Sequence, residues 1–141
     1  MEKLFSDCKA IRFSKAMEQN VSDKNVLIID NIGLLSSLYQ YGKIAYIGGG
    51  FGSGIHNILE AAAFGIPVIF GPNFQKFREA IELIDKGGAF SINSSESFQK
   101  TLHFLLNDKM ILQMASHVSK NYVMEQKGAA EIILKEISKI V

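Results

Sequence analysis

Apolar positions gather into five short runs rich in β-branched residues: Ala10 to Phe13, Val26 to Ile29, Ile44 to Ile47, Pro67 to Phe70 and Ala89 to Ile92. Runs of this length bounded by polar or glycine-containing segments read as buried strands. Between them the spacing changes to three and four. Leu34, Leu35, Leu38, Tyr39 and Tyr41 predict a short amphipathic helix over Ile32 to Tyr41, stopped by Gly42. Phe74, Phe77, Ala80, Ile81 and Ile84 predict another over Phe74 to Asp85, stopped by Lys86-Gly87-Gly88. Strands alternating with helices argue for an α/β domain with a parallel sheet covered by helices.

The C-terminal third reads as helical throughout. Ser94 or Ser95 can cap a helix reaching about Leu106, Asp108 can cap the next, and Gly128 precedes a final helix to Val141. No repeat, low-complexity tract or proline-rich linker marks a boundary, so the expectation is one domain over residues 1–141.

The densest chemical signal lies after the third strand. Gly48-Gly49-Gly50-Phe51-Gly52-Ser53-Gly54 opens onto Ile55-His56-Asn57-Ile58-Leu59-Glu60, and Ile58 to Phe64 reads as a helix closed by Gly65 and Pro67. A glycine turn lets backbone amides approach an anion closely, and the N-terminus of a helix favours negative charge. The turn stands directly ahead of a helix carrying His56, Asn57 and Glu60 on its first turns, and their spacing of three and four puts all three on one face. Glu60 would then suit the vicinal diol of a ribose, while His56 and Asn57 could donate to phosphate or sugar oxygens. The competing reading is structural: a tight turn, a capping Asn57 and a solvated Glu60.

Other chemistries are poorly supplied. The glycines match neither the dinucleotide pattern G-x-G-x-x-G on a first strand nor a phosphate loop ending in G-K-[ST]. A zinc site would need about three ligands, and His103 and His117 fall far from His56 in the helical third. Cys8 is the single cysteine, so it has neither a disulfide partner nor a second thiol for a metal. Fifteen basic and fourteen acidic residues leave a formal net charge of +1 without a basic run, which gives nucleic acid little to bind. No window approaches the roughly 20 apolar residues of a membrane span.

Two further loops follow strands: Asp30-Asn31-Ile32-Gly33 after the second and Gly71-Pro72-Asn73 after the fourth. In an open α/β sheet, ligands gather at such carboxyl ends. N-capping by Asp30 or Asn31 and an ordinary turn at Gly71-Pro72 are the structural alternatives.

Taken together, Asp30 to Leu35 with Leu38-Tyr39, Ala45 to Gly49, His56 to Ala63, and Pro67 to Pro72 with Phe77-Arg78-Glu79 resemble the C-terminal half of 3-deoxy-D-manno-octulosonic acid (Kdo) transferase. The resemblance implies a Rossmann-like donor domain of a GT-B glycosyltransferase, with CMP-Kdo as donor substrate, no resident cofactor and no metal. It implies that Glu60 binds the CMP ribose, that Asn57 and the glycine turn at Gly49 and Gly50 hold the phosphate, and that Ile32 and Gly33 line the cytidine pocket. It assigns no catalytic residue to this chain.

The intact enzyme would transfer Kdo to a lipid A precursor in lipopolysaccharide synthesis, on the cytoplasmic side of the bacterial inner membrane. The acceptor site, the general base and any membrane contact would belong to an N-terminal domain absent from this sequence, which makes the chain a donor-binding fragment with no expected activity of its own. Where the family has Asp-Thr-Met-Gly-Glu-Leu this chain has Asp30-Asn31-Ile32-Gly33-Leu34-Leu35, and Asn73 and Lys76 replace a usual His and Asn. The alternatives are the donor domain of another GT-B transferase, a UDP-sugar epimerase, or a nucleotide-binding module in its own right.

Overall fold

The computed structural model describes residues 8–126, 128 and 137–139. The helix expected after Gly128 lies outside the described residues. The chain forms two compact units, Met1–Leu38 and Tyr39–Val141.

In the first unit β1 (Ala10–Arg12) pairs in parallel with β2 (Val26–Ile28), Ala10 opposite Val26. The Asn25 amide donates to the Lys9 carbonyl just ahead of the ladder. Asp30 does not cap a helix. Its carboxylate accepts from the Ser14 backbone amide (3.0 Å) and hydroxyl (2.6 Å), joining the two segments that leave the strands. Those Ser14 hydrogen bonds hold its pKa below the usual carboxylate value.

The helix expected over Ile32 to Tyr41 is much shorter. Gly33 takes a positive φ of 91°, so α1 covers only Leu35–Leu38 and a 3-10 turn follows over Tyr39–Tyr41.

The second unit is built on β3 (Ala45–Ile47), β4 (Val68–Phe70) and β5 (Ala89–Ser91), all parallel, in the order β3-β4-β5. All five strands stand where the apolar runs place them, but in two ladders rather than one continuous sheet. Every residue of β4 is buried, as expected of a central strand covered on both faces. One face packs Ile47, Val68 and Phe70 against Ile58, Ala61 and Leu83. The other packs Ile69 and Ile92 against Leu105 and Ala115.

The covering helices are α2 (Leu59–Ala63), α3 (Arg78–Lys86), α4 (Ser95–Asn107) and α5 (Lys109–Glu125). Helix α3 begins four residues later than expected, because Phe74, Gln75 and Phe77 first form a turn closed on the carbonyls of Pro72 and Phe74. It ends where the glycines predict, with Gly87 and Gly88 donating to Ile84 and Leu83. Ser94 caps α4 by accepting the Ser97 amide at 3.1 Å, and the Ser97 hydroxyl oxygen accepts the Ser94 amide at 3.0 Å. The Asp108 carboxylate accepts the amides of Met110 and Ile111 at the head of α5.

Helix α5 is tied to α3 by the buried Tyr122, whose hydroxyl donates to Glu82 at 2.7 Å in a part-buried hydrogen bond. Glu82 also accepts from Arg78 one turn earlier. Burial, and then the hydrogen bond to Glu82, push the Tyr122 phenol up to about 12 from 10. The native state thus holds this proton more tightly than the unfolded chain. The resulting stability is complete below pH 10 and is lost as pH rises towards 12. Urea midpoints measured from about pH 9 to 12.5 should fall more steeply for the wild type than for Tyr122→Phe, which should itself lose about 1 kcal/mol at neutral pH. Parallel pH profiles would contradict this assignment.

Candidate functional site

The glycine turn leaves the carboxyl end of β3 and folds back on itself. The amides of Gly52 and Gly54 both donate to the Gly49 carbonyl (2.8 and 3.3 Å), and the His56 amide donates to the Gly48 carbonyl at 3.1 Å. Gly49 has a φ of 89°, and a Cβ there would run into the Gly54 carbonyl oxygen. A side chain at Gly49 is therefore excluded on both conformational and steric grounds.

Gly50 is buried and serves a different purpose from Gly49. A Cβ on it would meet the Gly71 backbone at 2.6–2.9 Å, and a Cβ on Gly71 would meet the Gly50 carbonyl carbon at 2.5 Å. The two glycines are packed backbone to backbone, which brings the turn after β3 onto the loop after β4. Asn73 secures the junction: its amide donates to the Gly50 carbonyl (2.9 Å) and its side-chain Nδ2 to the Gly52 carbonyl (2.7 Å). The sequence placed Gly71-Pro72-Asn73 beside the site as a strand-end loop, but no spacing rule joins residues 50 and 71.

Beyond the turn the local structure differs from the expectation. His56 and Asn57 are not helical, and α2 begins only at Leu59. The cause is in the side chain of Asn57. Its Oδ1 accepts the Leu59 amide at 3.0 Å, a turn of the Asx kind that competes with helical continuation. His56 is held by its backbone bond back to Gly48, with its ring edge near the position a Gly49 side chain would take. Five residues of helix make only a small dipole, so α2 contributes little to binding an anion, and His56 lies ahead of the helix rather than on its first turn.

The proximity of Asn57 and Glu60 survives on other grounds. Asn57 Nδ2 donates to Glu60 Oε1 at 2.9 Å, and both side chains are exposed. Glu60 also acts on Tyr39, whose phenol is raised first by burial and then by the Glu60 charge. The turn, His56, Asn57 and Glu60 thus follow one another at the carboxyl end of β3. Ile32 and Gly33 belong to the first unit, where Ile32 is fully exposed. His103 and His117 are exposed on α4 and α5, and His117 pairs with Asn121 at 2.8 Å.

No family model matches the sequence. Curated relatives do. A 3-deoxy-D-manno-octulosonic acid transferase of Aquifex aeolicus is 40% identical over 87 residues, covering 60% of this chain and 25% of the relative. That of Rickettsia typhi is 30% identical over 122 residues, covering 83% of the chain and 26% of the relative. That of Chlamydia pneumoniae is 35% identical over 107 residues, covering 74% and 24%.

The chain is a homologue of the Kdo transferases. It spans about a quarter of the length of those relatives. The C-terminal CMP-Kdo binding domain of WaaA from Acinetobacter baumannii has the same fold, with a TM-score of 0.68 at 19% identity over 88% of this chain and 66% of that one. The architecture of this Kdo transferase homologue is accordingly that of the C-terminal, Rossmann-like half of a GT-B enzyme. Among the described residues, no helix is long and apolar enough to cross a membrane.

Proposed function

We propose that this chain binds the nucleotide-sugar donor CMP-Kdo for a glycosyltransferase that moves Kdo onto a lipid A precursor in lipopolysaccharide synthesis. The observation that carries the reading is the hydrogen-bonded Asn57–Glu60 pair directly beyond a glycine turn at the carboxyl end of β3, in a homologue of Kdo transferases. Glu60 keeps a second carboxylate oxygen to accept from a ribose hydroxyl. The turn at Gly49 offers close backbone approach to phosphate, and His56 lies beside it as a donor.

In the transfer, an acceptor hydroxyl gives its proton to a general base and its oxygen bonds to the anomeric carbon of Kdo. The bond from that carbon to the phosphate oxygen breaks, and CMP leaves with the electron pair. Donors placed around the phosphate stabilise the charge that develops there. This chain's part is to hold and orient CMP-Kdo. The acceptor surface and the base are assigned to an N-terminal domain, on the cytoplasmic side of the inner membrane.

Titrating the 141-residue chain with CMP by NMR should shift the amides of Gly49, Asn57 and Glu60, with weaker or no response to UDP. A well-dispersed spectrum that CMP leaves unchanged would refute the donor assignment. The purified chain should show no Kdo transfer to a lipid A precursor.

A further inference from the structure

A cavity of about 230 Å³ lies between the tip of the glycine turn and the loop after β4, lined by Ser53, Asn73, Gln75, Lys76 and Phe77 together with Gly52. Whole small-molecule sites occupy about 300–1,000 Å³, so this one has the size of a subsite for part of a larger ligand. Its wall is mostly polar and carries one full charge, the ammonium of Lys76, with no carboxylate in the lining.

The two amides are committed to building the loop. Asn73 Nδ2 donates to the Gly52 carbonyl (2.7 Å) and Gln75 Nε2 to the Pro72 carbonyl (2.7 Å). Lys76 forms no ion pair among the described residues. A concave polar wall with one uncompensated cation and a serine hydroxyl is suited to an anionic oxygen group.

We infer that this pocket is the subsite for the sugar-acid carboxylate of the donor, with Lys76 as the residue that pairs with it. The inference rests on the donor reading above. A ulosonic acid carries its carboxylate on the anomeric carbon, the same carbon that bears the phosphate. Phosphate and carboxylate are therefore near neighbours in CMP-Kdo. The pocket meets that constraint, because Gly52 and Ser53 at its rim belong to the same turn as Gly49. The carboxylate also separates this donor from neutral nucleotide sugars, which makes Lys76 a specificity residue.

The test compares CMP and CMP-Kdo affinities for the wild-type chain, Lys76→Met and Lys76→Arg. Lys76 is exposed, so the variants should keep the wild-type amide spectrum, which is checked first. Lys76→Met should weaken CMP-Kdo about tenfold, the scale of losing one charge-assisted contact, while leaving CMP unchanged, and Lys76→Arg should restore most of the loss. Equal weakening of CMP and CMP-Kdo would place the phosphate on Lys76 and overturn the assignment, as would CMP-Kdo binding indifferent to Lys76→Met. Failure of the wild type to bind either ligand would instead remove the donor reading and this subsite with it.

Discussion

Replacing Gly71 by alanine is expected to destabilise the second unit by about 2–3 kcal/mol, the upper part of the range for overpacking a close contact. The added Cβ would meet the Gly50 carbonyl carbon at 2.5 Å, its oxygen at 2.7 Å and the Phe51 ring at 2.7 Å. Phe51 can turn away because it is exposed, but the Gly50 carbonyl cannot retreat cheaply. It is held there by the Asn73 amide at 2.9 Å. Urea unfolding at neutral pH measures the loss. Gly50→Ala should be comparably damaging, since its Cβ faces the Gly71 backbone at 2.6–2.9 Å. Gly52→Ala is the control, because the nearest atom to its Cβ is at 3.5 Å. Wild-type stability for Gly71→Ala would mean that the two strand-end loops are not packed as described. Because the same contact positions the turn, a partly folded Gly71→Ala protein should also bind CMP more weakly than its folded fraction explains.

Glu60→Ala is expected to weaken CMP binding by about tenfold to a hundredfold, the range for hydrogen bonds to a charged group. The side chain is exposed and accepts one hydrogen bond, from Asn57, so its removal should change stability little. The diagnostic comparison is 2′-deoxy-CMP. If Glu60 grips the ribose diol, the wild type should prefer CMP, and Glu60→Ala should bind the two ligands nearly alike, which is the coupling a double-mutant cycle reads. An unchanged preference in Glu60→Ala would show that the carboxylate does not meet the ribose. Asn57→Ala should have a smaller effect, acting through the orientation of Glu60 and the start of α2.

Both predictions depend on contacts that differ in how visible they are in the chain. The strands were legible because burial on both sheet faces leaves short runs of β-branched residues, as in Val68-Ile69-Phe70. The caps at Ser94 and Asp108 and the stop at Gly87 were legible because each satisfies backbone groups within a few residues. The segment at His56 departs from its local pattern for a related reason. The spacing of residues 56, 57 and 60 is helical, whereas Asn57 spends its side-chain oxygen on the Leu59 amide and delays the helix to Leu59. The same side chain then reaches Glu60 through its nitrogen, so the expected neighbours meet through a cap rather than along a helical face. The Tyr122–Glu82 bond, across 40 residues, had no counterpart in any local pattern.

By itself the sequence determined the order and type of the elements, their caps and stops, the glycine turn ahead of Asn57 and Glu60, and the likeness to Kdo transferases, because these are written in residues a few positions apart. Only the tertiary structure decided that Gly50 is a glycine for the sake of Gly71, that Asn73 fastens the turn, and that Lys76 shares a cavity with Ser53. Those arrangements join segments about twenty residues apart through a pair of parallel strands. Packing distance, rather than local periodicity, is the physical quantity that sets them.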